Sequence, residues 1–137
     1  MKRSRPRRQR KTSLAGAKRK LWAVMSAYIK KRDGNTCISC GAKGLSGQNW
    51  HAGHLFSAGQ YASIRYNELN VHSQCGRCNV FLRGNVHEYI AALKRIGQES
   101  VYRHLDALKR VPVQWRVPEL EALREDYQKK LDDLTKP

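Results

Sequence analysis

The chain has no long apolar run, and it is poor in acidic side chains and in Phe. No apolar stretch approaches the ~20 residues that a membrane-spanning helix needs, so we expect no transmembrane segment. The N-terminus is basic with no apolar segment behind it, which disfavours a secretory signal and favours a cytoplasmic protein. Only two Phe occur among 137 residues. The core should therefore be modest and should need a further cross-link.

Acidic residues are scarce relative to basic ones. The 11 Asp and Glu face 27 Lys and Arg, for a net charge of +16. This excess predicts a polyanionic partner: DNA is the first choice and an anionic membrane surface the weaker alternative. The first 32 residues hold 13 of the basic side chains and no acidic one.

The extreme N-terminus carries the densest part of this charge. Residues 1–12 cannot bury apolar area and their charges repel, so they are predicted to be a disordered basic arm. The arm is interpreted as phosphate-binding, and a solubilising tail is the alternative. Its predicted DNA-binding residues are Arg3, Arg5, Arg7, Arg8, Arg10 and Lys11.

The four cysteines form two matched C-x-x-C pairs. Cys37 and Cys40 make the first pair, and Cys75 and Cys78 make the second. Two such knuckles can place four thiolates around one zinc ion in a closed tetrahedron, so the spacing predicts a structural Zn²⁺ site without catalytic function. The alternatives are two disulfides or a redox C-x-x-C pair, which are disfavoured without a secretion signal.

The hydrophobic pattern predicts an α+β domain over residues 13–137. A helix capped by Ser13 should run to Arg32, with apolar residues at a 3.6-residue period, and stop at Gly34. Short strands are predicted at residues 50–56 and 70–72, followed by a brief helical turn from Cys78. Further helices are predicted at residues 86–95, 99–110 and 119–134, with Pro112 and Pro118 bracketing an extended link before the last one.

The segment between the cysteine pairs carries the chemically interesting residues. Its pattern is C-x2-C, then His51 and His54, then Asn70, then C-x2-C followed by Asn79. This order resembles that of a zinc-stapled HNH nuclease, also called a ββα-metal fold. A neutral imidazole can act as a general base near pH 7, and a divalent cation can neutralise charge on a phosphate.

Each of these side chains also has a structural alternative. A histidine in a strand can simply pack in the core or lie at the surface. In a straight strand, His51 points away from His54, so both reach one site only if Gly53 permits a bulge. His72 can approach the site or pack. We expect His87 and His104, which lie in helical stretches, to be structural or solvent-facing.

From residue 23 onward the chain resembles the phage lambda NinG/Rap recombination family, structure-specific nucleases that act on branched DNA. The resemblance covers roughly 110 of 137 residues. The resemblance rests on short matching sequence segments. Between the first cysteine pair and the second they are Cys37-Ile-Ser-Cys40-Gly41, Trp50 with Ala52-Gly53-His54, Arg65 with Asn67-Glu68 and Asn70, and His72 with Gln74-Cys75. From the fourth cysteine onward they are Cys78-Asn79, Gly84-Asn85, Arg95-Ile96-Gly97-Gln98-Glu99, and Tyr127-Gln128 with Lys130-Leu131.

Two departures from the family stand out. The family has Asp where this chain has His51, which bears on metal preference. The lambda protein also has a cysteine-containing segment ahead of the first helix, where this chain has only the Arg-rich arm. The layout also resembles the phage endonuclease VII resolvases, in which the Asn after the fourth cysteine binds the catalytic metal.

The resemblance implies a divalent-metal endonuclease that cuts Holliday junctions and displacement loops, in the host cytoplasm if the chain is phage-encoded. The catalytic residues would be His54, Asn70 and Asn79. His54 would be the general base, and Asn70 would fix the strand-turn geometry and orient His54. Asn79 and His51 would bind Mg²⁺ or Mn²⁺, with Asn85 a weaker candidate. The expected nuclease core spans about residues 35–90, with a helical extension over residues 91–137.

The expected partners follow from the same interpretation. Arg77 and Arg83 are predicted phosphate contacts for branched or duplex DNA. A homodimer is expected because a junction has near-twofold symmetry, with the C-terminal helices as its interface, and recombination proteins are expected partners. The alternatives are a non-catalytic zinc-ribbon DNA-binding module and a sequence-specific HNH endonuclease.

Overall fold

The computed structural model describes residues 10–137. It is an α+β structure whose two strands pair in one antiparallel sheet. The main elements are α1 (Leu14–Asp33), β1 (His51–His54), β2 (Val71–Gln74), α2 (Val86–Arg95), α3 (Glu99–Leu108) and α4 (Val117–Thr135). Short 3-10 helices cover Gly47–Asn49, Ala62–Ile64 and Glu68–Asn70, and a π-helical turn covers Arg77–Phe81.

The predicted first helix is confirmed at both ends. The Ser13 hydroxyl accepts a hydrogen bond from the Gly16 N–H at 3.0 Å, which satisfies one of the unpaired donors of the first turn. At the other end Gly34 has φ +75° and its N–H donates to the Lys30 carbonyl. Only glycine adopts that backbone conformation freely, so the helix ends there. The buried positions are Ala17, Leu21, Met25, Tyr28 and Ile29.

The sheet is shorter at β1 and shifted at β2 relative to the prediction. His51 pairs with Gln74 and His54 pairs with Val71, in a regular register. β1 ends early because the Phe56 N–H donates to the side chain of Asn70 at 2.8 Å instead of to a backbone carbonyl. Asn70 itself lies in a 3-10 turn, so β2 begins one residue later than predicted.

Two larger hydrophobic cores join the helices to the sheet region. In the first, α4 packs against α1 and the sheet, with Leu120 and Tyr127 buried among the α1 residues. The segment predicted as an extension therefore supplies part of the main core. The second core joins Leu55 and Ile64 to α2 and α3.

Two predicted boundaries near the C-terminus are wrong. α3 ends at Leu108 and not at Arg110. Pro118 does not end the extended link but lies in the first turn of α4, which begins at Val117. Proline fits there because the N–H groups of a first helical turn have no partner within the helix, and its fixed φ suits the helix.

Arg32 and Asp33 tie the end of α1 to the sheet. The Arg32 guanidinium donates to both Asp33 carboxylate oxygens, at 2.6 and 2.9 Å. It also donates to the carbonyls of Glu68 and Val71, at 2.9 and 2.6 Å. Asp33 in turn accepts the Ser73 N–H of β2 at 3.0 Å. The pair is mostly buried, so each partner depends on the other to remain hydrogen-bonded.

We predict that Arg32→Met lowers the free energy of unfolding by about 2–4 kcal/mol, because it removes the ion pair with Asp33 and the guanidinium donors of two carbonyls in a mostly buried place. Lys31→Met is the matched control, since it removes the same charge from an exposed neighbouring position. It should change stability by less than about 0.5 kcal/mol. Denaturant unfolding measures both variants. Equal losses would show that Arg32 contributes only its charge.

Candidate active site and metal centre

The four cysteines come together as predicted. Their Sγ atoms all lie within 4.8 Å of one another. The Sγ atoms of Cys40 and Cys75 are 3.8 Å apart. Zinc–sulfur bonds of ~2.3 Å in a tetrahedron place the sulfur atoms about 3.8 Å from each other, so this donor set fits zinc. The cluster can hold a zinc ion, and it lies in a small core with Leu45 and Trp50.

Backbone N–H groups donate hydrogen bonds to two of the sulfur atoms, which favours the thiolate form that binds a cation. The backbone N–H of Cys40 donates to Cys37 Sγ at 3.5 Å, and that of Cys78 donates to Cys75 Sγ at 3.4 Å. Burial raises the pKa of the Cys37 thiol, but backbone N–H donors outweigh it and bring that pKa to about 7. Burial raises the pKa of Cys78 to about 12. Full ionisation of the cluster therefore needs a bound cation to displace the remaining protons.

A cavity of about 430 Å³ lies beside β1 and collects three of the predicted site residues. His51, His54 and Asn79 all line it. His54 and Asn79 also line an adjoining groove of about 710 Å³. Asn79 reaches this position because the π-helical turn follows directly after β2 and Cys75.

The cavity takes side chains from both faces of β1. The strand register is regular, so His51 and His54 do project to opposite faces and no bulge joins them. Within residues 10–137, β1 pairs only with β2. Both histidines nevertheless line the cavity, so the expectation that they reach one site only through a bulge was wrong.

His54 is held in a defined orientation. Its Nε2 is 2.8 Å from the Arg65 carbonyl, which fixes the proton on that nitrogen and leaves Nδ1 as an acceptor. The Trp22 ring stacks on the imidazole at 5.0 Å between centroids. Burial lowers the pKa of His54, so the ring is neutral at pH 7.

His51 and Asn79 are hydrogen-bonded to each other. His51 Nε2 lies 2.7 Å from the Gln48 carbonyl and donates to it. Nδ1 then accepts from Asn79 Nδ2 at 3.0 Å. A histidine with one nitrogen donating to a backbone carbonyl presents the other nitrogen as a metal ligand. Rotation of the Asn79 amide would turn its oxygen toward the same point.

Gly53 allows the turn after β2 to approach β1. A Cβ at this position would lie 1.7 Å from Gln74 Oε1 and 3.0 Å from Asn79 Oδ1. Gln74 uses its amide nitrogen to bind the Ser39 hydroxyl and the Gly84 carbonyl, at 2.8 and 2.7 Å. The missing side chain at Gly53 thus keeps Asn79 close to the histidines.

Asn70 does not line the cavity, and its side chain hydrogen-bonds to backbone groups of the loop between the strands. It is fully buried, and its amide donates to the carbonyls of Phe56 and Ile64 at 3.0 and 3.2 Å. These bonds fix the loop between the strands, as expected for strand-turn geometry, but none of them reaches His54. A catalytic role for Asn70 stays a prediction.

His72 and Asn85 are not brought to the site. His72 packs in the core, where Nδ1 lies 2.7 Å from the Tyr89 hydroxyl, and burial lowers its pKa to about 4. Asn85 does not line the cavity and donates instead to Cys78 Sγ at 3.5 Å. Asn85, the weaker candidate for the catalytic cation, therefore lies beside the thiol cluster and not in the cavity with His51 and Asn79. His87 and His104 are exposed.

Of the two arginines predicted beside the site, the structure places Arg83 along the groove but not Arg77. Lys30 and Arg65 line the cavity, and Arg83 lines the adjoining groove. Arg77 is exposed and lines neither. Of the predicted arm, Arg10 and Lys11 are exposed and non-helical, whereas Arg3, Arg5, Arg7 and Arg8 fall outside the described residues.

Sequence reasoning missed the contribution of α1 to the cavity. Trp22, Ser26 and Lys30 all line it. They recur every four residues on the stripe next to the buried Leu21, Met25 and Ile29, so they share one helix face. That spacing was the available signal.

The helices of residues 10–137 include none that is long and apolar enough to cross a membrane. The fold and the cysteine cluster define the class of protein: a small α+β protein with a four-thiol site that can hold zinc, beside a cavity lined by two histidines and an asparagine.

Comparison with known proteins places the chain in a family. A model described as Bacteriophage Lambda NinG protein matches residues 2–137, and the chain belongs to this family. Protein ninG of Escherichia phage lambda is 37% identical over 113 residues, which are 81% of this chain and 53% of that protein. Protein ninG of Salmonella phage P22 is 35% identical over 113 residues, which are 81% of this chain and 54% of that protein. The chain thus spans about half the length of these relatives. No solved structure matches it.

We predict that the purified protein binds one zinc ion per chain and that Cys78→Ser abolishes this binding and unfolds the segment around β2. Structural zinc contributes ~10–16 kcal/mol of apparent binding free energy, which a small core cannot replace. Elemental analysis and circular dichroism measure the two effects. Ser57→Ala, at an exposed loop position, is the control. Folded protein without zinc would contradict the assignment.

Proposed function

We propose that this protein is a divalent-metal-dependent endodeoxyribonuclease of the ββα-metal (HNH) type that hydrolyses phosphodiester bonds in branched DNA, such as Holliday junctions and displacement loops. The observation that carries this proposal is the cavity lined by a half-buried, neutral histidine together with a hydrogen-bonded histidine–asparagine pair. Because the chain covers about half of its relatives' length, the activity of the whole family protein is also part of the proposal.

His54 is the general base in this proposal. Its Nε2–H is committed to the Arg65 carbonyl, so Nδ1 is free to take a proton from an attacking water. Burial keeps the imidazole neutral and therefore competent at pH 7. The stacked Trp22 ring restricts its rotation, which preserves this geometry during the reaction.

His51 and Asn79 are the candidate ligands of the catalytic cation. No Asp or Glu is among the side chains that line the cavity in the described part of the chain. An imidazole nitrogen and an amide oxygen suit Mn²⁺ better than Mg²⁺, which prefers oxygen ligands. Such a cation, when bound, would neutralise negative charge that develops on the phosphate.

Positive side chains would hold the DNA backbone at the cavity. Lys30 and Arg65 lie at its rim, and Arg83 lies along the adjoining groove. The net charge of +16 favours a polyanionic partner over the whole molecule. The basic arm of residues 1–12 would add further phosphate contacts.

Two expectations about assembly belong to the same proposal, and two alternative functions compete with it. A homodimer would place two cavities on the two scissile strands of a junction. The apolar face of α4 packs against α1, so such a dimer would have to form through other surfaces. Recombination proteins remain proposed partners. A zinc-ribbon module would bind DNA without cutting it, and a sequence-specific HNH enzyme would cut linear duplex at fixed sites.

We predict that His54→Ala lowers the rate of junction cleavage by about 10²–10⁴-fold, because it removes the general base. Binding of the junction should remain within a few-fold of wild type. His87→Ala is the matched control, since it removes an exposed imidazole far along the chain. A labelled four-way junction and a linear duplex of matched sequence, each with Mn²⁺ or with Mg²⁺, are the substrates.

The pH profile adds a second readout for His54. Burial lowers the pKa of His54 below the ordinary histidine value of ~6.5. The cleavage rate should therefore be constant from pH 8 down to about pH 6.5 and should fall only at lower pH, where His54 becomes protonated. Cleavage of the junction by His54→Ala at the wild-type rate would rule out the assignment. Binding without any cleavage by the wild type would favour the zinc-ribbon alternative.

We predict that His51→Asp shifts the metal preference from Mn²⁺ toward Mg²⁺, because a carboxylate oxygen replaces an imidazole nitrogen. The half-saturating Mg²⁺ concentration should fall by about 10-fold, which is the scale of a ligand change. Asn79→Ala should instead raise the requirement for both metals. The measurement is the cleavage rate against metal concentration. If the ratio of the half-saturating Mn²⁺ and Mg²⁺ concentrations stays the same in His51→Asp, His51 is not a metal ligand.

A further inference from the structure

The turn after the fourth cysteine exposes a cluster of apolar side chains. Phe81 is 82% exposed, more than any other large hydrophobic side chain in residues 10–137. Val80, Leu82 and Val86 are exposed within the same seven residues. We call these four residues the apolar turn. Single exposed apolar residues are ordinary, but a group led by an exposed aromatic ring indicates a contact surface.

The apolar turn is held firmly in place by the backbone around it. The N–H of Leu82 donates to the Arg77 carbonyl at 2.9 Å, and that of Gly84 donates to the Cys78 carbonyl at 2.7 Å. Arg83 has φ +49°, a conformation that is uncommon outside glycine. The turn therefore keeps a strained shape that exposes Phe81, and Cys78 anchors it to the thiol cluster.

The apolar turn adjoins the proposed active site. Val80, Arg83 and Val86 line the same groove as His54 and Asn79, whereas Phe81 and Leu82 follow Val80 in the chain and are exposed without lining the groove. A DNA strand that lies in this groove would therefore come close to the turn. The groove contains no Asp or Glu among its described lining residues, and Arg77 lies at the start of the turn.

The chemistry of the turn fits an unstacked nucleobase better than an intact duplex. Aromatic rings beside arginines bind single-stranded DNA because each base offers a π face and each phosphate a charge. In a continuous duplex the base faces are stacked inside, so Phe81 would find only sugar and phosphate. At a branch point, base faces become accessible, and an apolar side chain can insert beside them.

We propose that Phe81 stacks on an unpaired or unstacked base at the branch point of the DNA, with Val80, Leu82 and Val86 around it and Arg83 on the adjacent phosphate. This inference rests on the proposed function and adds a source for its selectivity. The charge of the protein holds any DNA, whereas the apolar turn recognises the interruption in stacking.

The test compares the affinities of full-length variants for a four-way junction and for a linear duplex of matched sequence. Fluorescence anisotropy is measured without Mg²⁺ or Mn²⁺, so that binding is read separately from cleavage. Phe81→Ala should weaken junction binding by about 10-fold or more and change duplex binding less than about twofold. Phe81→Trp should restore junction binding, because it retains an aromatic face.

Ile96→Ala is the matched control. Ile96 is also exposed, but it lines a different cavity on the other side of the β2 strand, with Tyr28 and His72. It should change neither affinity. Zinc content and the unfolding midpoint of each variant should equal those of the wild type, which separates loss of contact from loss of fold.

Several outcomes would overturn the inference. Equal loss of junction and duplex binding would make Phe81 a general DNA contact. No loss on either DNA, with a change in sedimentation from dimer to monomer, would make the turn a protein interface. These outcomes are distinct from failure of the proposed function. A wild type that prefers the junction through Phe81 but never cuts it would retain the inference and disprove the nuclease.

Discussion

The geometry of the four thiols is the constraint on which the rest of the structure depends. Two C-x-x-C turns that are far apart in the chain must meet within 4.8 Å, which closes the intervening segment into a loop. A two-stranded sheet is only marginally stable by itself. The cluster holds its second strand next to the turn that carries Asn79, and Arg32 and Asp33 hold the same strand to α1. The proposed active site is thus built beside a cluster of four thiols that can hold a zinc ion, and not on a large core.

The small size of the sheet accounts for how the site is assembled. A wider sheet would cover the edge of β1 and separate His51 from His54 by the alternation of side chains. With one edge free, the cavity receives both histidines together with residues of α1. Gly53 completes the arrangement because any side chain there would displace Gln74 and the turn beyond it. The same turn exposes Phe81, so chemistry and recognition of DNA structure would share one rigid segment.

α1 illustrates how one helix can serve two surfaces. Its buried stripe packs against α4, and the neighbouring stripe of Trp22, Ser26 and Lys30 faces the cavity. The predicted helix and its ends were confirmed, because capping and periodicity are local properties. The second stripe went unrecognised, since nothing local distinguishes a polar residue at a cavity from one in solvent. The predicted ends of the strands were wrong for a related reason, since the residue that ends β1, Asn70, is distant from it in sequence.

The sequence by itself determined the α+β class, the pairing of the four cysteines into one cluster, the helix caps and the excess of positive charge. Each of these follows from spacing or composition. Tertiary structure decided which polar side chains meet. In the folded chain His51, His54 and Asn79 line one cavity together with residues of α1. His72 instead contacts Tyr89 in the core, and Asn85 contacts Cys78. The physical reason is that a side chain's partner depends on the packing of elements distant in sequence, whereas periodicity and ligand spacing are set within a few residues.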